Sequence, residues 1–154
     1  MNIILGAITI ATITPVINSI TAISQNVFSM INIIRSTSSL YQADIQAFLN
    51  KSDIEATINL IHTIITEIPS YYNESTSIII ALQNMQKIIL EIESELKALH
   101  DNILYNESLY FMKSMRGYNL ASHIDTLNDK ISILDKRKDN LFKTLEIFKN
   151  CVKK

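Results

Sequence analysis

Glu91, Glu93 and Glu95 are the densest cluster of proton-transferring groups in the chain. A general acid and its base must converge on one substrate. On a helix, residues two apart point away from each other, so these carboxylates fan over a solvated face. His62, His100 and His123 are scattered, no His or Cys pair has metal-ligand spacing, and two glycines cannot build a phosphate-cradling loop. His62, flanked by Ile61 and Ile64, reads as a partly buried structural histidine. No catalytic residue, cofactor site, metal site or small-molecule substrate is expected, and the chain is not read as an enzyme.

Charge distribution carries more information than the net charge of −1. Residues 1–112 hold four basic and ten acidic side chains, whereas residues 113–154 hold ten basic and five acidic ones. Lys113, Arg116, Lys136, Arg137, Lys138 and Lys143 are therefore candidate contacts for anionic lipid headgroups, each worth about 1 kcal/mol near such a surface. The competing explanation is that they pair with the acidic third helix and complement helix C-termini. Nucleic acid is not an expected partner, because the rest of the chain is acidic and aromatic and basic residues do not interleave.

The 34 residues before Arg35 contain no Lys, Arg, Asp, Glu or His. A membrane-spanning helix needs about 20 predominantly apolar residues. Ile3 to Ile23 has the length, but Thr9, Thr12, Thr14, Asn18, Ser19 and Thr21 make its content marginal. From Ile13 onward a different pattern appears: Ile13, Val16, Ile20, Ile23, Val27, Met30 and Ile34 alternate steps of three and four, one face of a helix. Asn18, Thr21, Ser24, Gln25, Ser29 and Asn32 lie between them. Residues 13–34 thus have the periodicity of a core helix, leaving residues 3–12 free, with Gly6 and Pro15 as the joint. No basic residue precedes the apolar run and no small-residue cleavage site follows it, so a signal peptide is not expected. Lone Cys151 excludes an intramolecular disulfide and fits a reducing, cytoplasmic compartment.

Three more stripes follow. Leu40, Asp44, Ala47, Lys51, Ile54, Ile58, Ile61, Ile65 and Ile68 form a second, weak in its first half, with Ser52 and Asp53 able to start a new helix inside it. Pro69 ends it. Ile78, Leu82, Met85, Ile89, Ile92, Leu96, Leu99 and Ile103 form the cleanest, opened by capping candidates Asn73 and Ser75, with Glu91, Glu93, Glu95 and Asp101 facing mostly away. Leu120, Ile124, Leu127, Ile131, Leu134, Lys138, Leu141, Leu145, Phe148 and Val152 form the last. The expected elements are an apolar N-terminal helix over 1–34, helices over 37–68, 75–104 and 119–150, and a short connector helix over 107–116. Apolar positions beside each seam, such as Ile31, Ile79 and Ile88, favour a globular core over an extended coiled coil. With 154 residues and so few turn-formers, the fold class predicted is all-α: one domain, an up-and-down antiparallel four-helix bundle.

The uncharged stretch Ile4 to Ala11 (ILGAITIA) followed by a long amphipathic helix resembles the opening of fungal HeLo and HeLo-like domains. Residues 81–134 are similar to the third and fourth helices of the N-terminal bundles of the mixed-lineage-kinase-domain-like family. The shared features are an aromatic and basic connector (Tyr110, Phe111, Met112, Lys113, Arg116) and a following helix with Ile124, Leu127, Ile131 and Leu134. Plant helical disease-resistance domains look similar over the same region. This chain departs from the pattern in having few basic residues on its first two helices.

The resemblance implies a cytoplasmic cell-death or immune signalling bundle, recruitable to membranes, that forms homo-oligomers on activation. It would bind or permeabilise membranes through Ile3, Ile4, Leu5, Gly6, Ile8, Ile10 and Ile13, with membrane lipids or proteins as its partners. Two alternatives stand beside it. A helical scaffold, such as a minor capsid component of a large DNA virus, would bury the uncharged segment permanently against other subunits. A pore-forming toxin would place the segment at a hairpin tip, and here it is terminal.

Overall fold

The computed structural model describes residues 12–37, 39, 41–109 and 117–153. Their elements are α1 (Ile13–Ser36), α2 (Gln42–Ser52), α3 (Ile54–Thr66), a 3-10 turn at Ser70–Tyr72, α4 (Thr76–Ser108) and α5 (Gly117–Val152), with no strand among the described residues. The fold is all-α, with long helices packed against one another. Helix over residues 1–11 lies outside the described residues, as do residues 110–116 of the connector expected over 107–116, whose first two residues, Glu107 and Ser108, instead continue α4.

Helix α1 starts at Ile13, so Pro15 falls in its first turn, where backbone N–H groups have no intrahelical acceptor and proline costs nothing. Its last turn is closed from outside. Thr37 N–H bonds the Ile34 carbonyl, and the Gln42 and Gln46 side-chain amides donate to the Arg35 carbonyl at 2.8 and 3.3 Å. Arg35 in turn pairs with Glu55 at 2.8 Å, tying the end of α1 to the start of α3.

The second stripe, which the sequence allows as one rod over 37–68 or as two helices parted near Ser52 and Asp53, is two helices. Asp53 adopts φ 52° and ψ 25°, left-handed backbone that interrupts the rod between α2 and α3. The break resets the helical phase. α2 buries Ile45, Phe48 and Leu49, not the expected seam residues Asp44, Ala47 and Lys51, which are exposed. α3 keeps the expected set, burying Ile54, Ile58, Ile61 and Ile65.

Helix α4 is central. Every residue of its expected stripe, from Ile78 to Ile103, is buried, and so are Ile79, Ile88, Glu93 and Asn106. At 100° per residue these positions cover about half the helix circumference. That width follows from its two close neighbours, α1 and α5. The α5 contact is antiparallel: Glu95 meets His123 at 2.5 Å, Glu91 accepts from Lys130 at 3.2 Å, and the Asn84 carbonyl accepts from Arg137 at 2.6 Å. The α1 contact runs the same way as α4, since Ile13 N–H bonds the Asn73 carbonyl and Gln86 Nε2 donates to Ser19 Oγ. Close packing of α1 along α4 is a relation that chain order and loop length do not reveal. α2 and α3 lie against α1 and α5, with smaller contacts.

An L-residue held left-handed costs roughly 1–2 kcal/mol, least for Asp, Asn and Gly. Asp53→Val is therefore expected to lower unfolding free energy by about 1–2 kcal/mol. Asp53→Gly should hold or raise it. Urea titrations followed by circular dichroism measure both, and an unchanged midpoint for Asp53→Val would show that the break carries no conformational cost.

Candidate functional surface

The uncharged segment divides at Ile13. Ile13 is 3% exposed, and Ile20, Val27, Ile31 and Ile34 are fully buried, so α1 from its first residue is part of the core. Its solvent side is built from neutral polar groups, among them Asn18, Gln25, Ser29 and Asn32. Ser24, placed by its spacing among the polar residues between the seam positions, is buried. Of the membrane-active set, Ile3, Ile4, Leu5, Gly6, Ile8 and Ile10 lie outside the described residues. No helix among the described residues is long and apolar enough to cross a membrane.

The candidate headgroup contacts separate by geometry. Arg137 is engaged with the Asn84 carbonyl, and Lys138, 19% exposed, bonds Asp135 at 3.0 Å. Lys136 and Lys143 are exposed. Lys113 and Arg116 lie outside the described residues. Helix α5 thus uses His123, Lys130 and Arg137 to meet α4 and presents Lys136 and Lys143 to solvent. Part of its basic character serves the helix interface.

The carboxylate cluster does not lie on one solvated face. Glu91 and Glu95 turn toward α5, and Glu93 is 5% exposed, its carboxylate 2.8 Å from Lys97 Nζ one turn on. The reason is the width of the buried arc on α4, which reaches past the expected stripe. Lys97 is largely exposed, so it carries the pair's contact with water. Among the described residues no group of three or more His, Cys, Asp or Glu side chains is placed to hold a metal ion.

One end of the molecule gathers features at the place where Pro69 ends the second stripe. Pro69 is extended at φ −63° and ψ 145°, and the turn after it sets the Tyr71 and Tyr72 rings against each other at 4.3 Å between centroids, tilted by 57°. Tyr72 meets Phe148 of α5 edge-on at 5.9 Å. The adjacent Tyr71 hydroxyl, with burial second, pushes the Tyr72 phenol up to about 12. Beside these rings is a groove of about 290 Å³, lined by Ile64, Ile68, Pro69, Tyr71, Leu145 and Lys149 among others. A second groove of about 490 Å³ separates α2 from α5, between Phe48 and Lys51 on one wall and Ile131 and Asp135 on the other. The Tyr-Tyr pair after Pro69 was the available signal for the aromatic end, but sequence does not show that Phe148 comes to meet it.

Comparison with protein-family models, curated proteins and solved structures finds no match to this chain.

A phenol whose folded pKa exceeds its unfolded value contributes stability fully below pH 10. That contribution is lost as pH rises from about 10 to about 12. Tyr72→Phe keeps the ring against Phe148 and should remove this part of the alkaline loss, read as a shallower fall in melting temperature across that window. For the basic face, Lys130→Glu faces Glu91 with a like charge and should destabilise by up to about 1 kcal/mol. Lys136→Glu with Lys143→Glu should leave the melting temperature nearly unchanged and weaken sedimentation with phosphatidylserine vesicles. Equal vesicle binding by that double variant would remove both lysines from the headgroup set.

Proposed function

We propose that this chain is a non-enzymatic, cytoplasmic cell-death or immune signalling protein. It is recruitable to membranes, oligomerises on activation and acts on the bilayer through the segment before Ile13. In this reading the packed helices form an up-and-down antiparallel four-helix bundle, with α2 and α3 together making the second rod. The HeLo and mixed-lineage-kinase-domain-like resemblance supplies the class of activity. The observation that carries the reading is the division of the uncharged segment: α1 from Ile13 onward is committed to the core, while residues 1–11, without a single charge, precede it. Membrane lipid is the partner, met first by Lys136 and Lys143 and then by Ile3, Ile4, Leu5, Ile8 and Ile10.

A second reading, a structural scaffold, is favoured by one observation. Ile80, Leu90 and Leu104 stand about half-exposed on the solvent side of α4, where a neighbouring subunit would cover them. Light scattering separates the two readings: a monomer without lipid supports the signalling protein, and an obligate oligomer supports the scaffold.

Dye-loaded anionic liposomes provide the direct test. The intact chain under oligomerising conditions is expected to release the dye, and a chain lacking residues 1–11 should release little while keeping its helical circular dichroism. Equal release by both, or none by either, would overturn the membrane reading.

A further inference from the structure

We infer that, in the resting protein, the uncovered end of the α5 core stripe is the docking site of residues 1–11 of the same chain. This rests on the proposed role of that segment and adds where it is held before release. The stripe Leu141, Leu145, Phe148 and Val152 repeats at four, three and four residues, one face of the helix. Along it burial falls away: Leu141 is 1% exposed, Leu145 and Phe148 are partly buried, and Val152 is 61% exposed. Ile147, about 100° round the helix from Phe148, is 62% exposed. The groove lined by Ile68, Tyr71, Tyr72, Leu145 and Lys149 opens along the same stretch.

The chain delivers its own cover to this point. Ile13 N–H is bonded to the Asn73 carbonyl at 3.2 Å, one residue from Tyr72, whose ring touches Phe148. Residues 1–11 therefore set out from the end of the molecule where the stripe is bare. Extended, 11 residues reach at most about 35–40 Å, and Val152 lies only about 6 Å along the helix from Phe148. Their composition fits the site: Met1, Ile3, Ile4, Leu5, Ile8 and Ile10 with no charge to desolvate. A second copy fits less well. Four or five side chains fall far short of the roughly 1,000 Å² that a stable interface between separate proteins buries, whereas a tethered segment acts at millimolar effective concentration.

Native Cys151, exposed on this end of α5, is the chain's one cysteine and makes the test direct. Ile8→Cys in the full chain, under mild oxidation without lipid, is expected to form an intramolecular disulfide to Cys151. The rate should be about tenfold higher than to a cysteine in mid-helix, made as Ile8→Cys with Cys151→Ser and Asn128→Cys. In the otherwise native chain, deleting residues 1–11 should speed alkylation of Cys151 several-fold. Equal cross-linking at the two α5 positions, cross-links only between chains, or alkylation unchanged by the deletion would overturn the docking. None of these readouts involves a bilayer, so the docking and the liposome result fail independently.

Discussion

The burial of α4 on two sides is the constraint from which the other elements take their places. Ile78, Leu82, Met85, Ile88, Ile89, Ile92, Leu96 and Leu99 form an apolar arc too wide for one partner, so α1 and α5 are both required to cover it. Each such side chain, fully buried, is worth about 1.5–3 kcal/mol, against about 0–1 kcal/mol for a part-exposed ion pair. Hydrophobic burial therefore holds the three helices together. The contacts of Glu95, Glu91 and Asn84 with His123, Lys130 and Arg137 fix the register in which α5 lies.

The same balance accounts for α1, a helix of 24 residues whose only charge is Arg35. Its apolar side is consumed by α4, and amides and hydroxyls hydrate the other. Neutral polar residues are sufficient there because the buried face, not surface charge, supplies the stability. Buried Glu93 tests the limit from the opposite direction. A carboxylate that far from water needs a partner, and Lys97 on the next turn supplies it from the surface.

The seams of α1, α4 and most of α5 were legible because an unbroken three-four alternation over many turns leaves one face to bury. α2 was not, because phase is lost wherever the backbone leaves the helix, and Asp53 lies inside the pattern. Expecting Glu93 on the solvated side failed for another reason: periodicity locates the centre of a buried face and not its width, which depends on how many neighbours a helix has. Which helix flanks which was likewise beyond reach, since α1 lies along α4 in the same direction with α2 and α3 between them in the chain. Of the uncharged segment, spacing marked residues 13–34 as a core helix, and α1 buries Ile13, Ile20, Ile23, Val27, Ile31 and Ile34. Spacing did not reveal that Arg137 and Lys138 are engaged within the protein.

The burial of α1 decides what a membrane could take from this molecule. Withdrawing α1 would uncover Ile13, Ile20, Ile23, Val27, Ile31 and Ile34 and strip one flank of α4. At about 1.5–3 kcal/mol per side chain the loss is on the order of 10 kcal/mol, comparable to the 5–15 kcal/mol that separates a typical folded domain from its unfolded chain. Extraction of α1 would therefore be unfolding in all but name, and a bilayer would have to replace the whole core to drive it. In the docking proposed above, releasing residues 1–11 from the end of α5 would uncover only Leu145, Phe148, Val152 and their neighbours. A few apolar contacts are within what insertion of Ile3, Ile4, Leu5, Ile8 and Ile10 into hydrocarbon would offset. A membrane function that withdrew α1 would thus give up the core on which this fold is built.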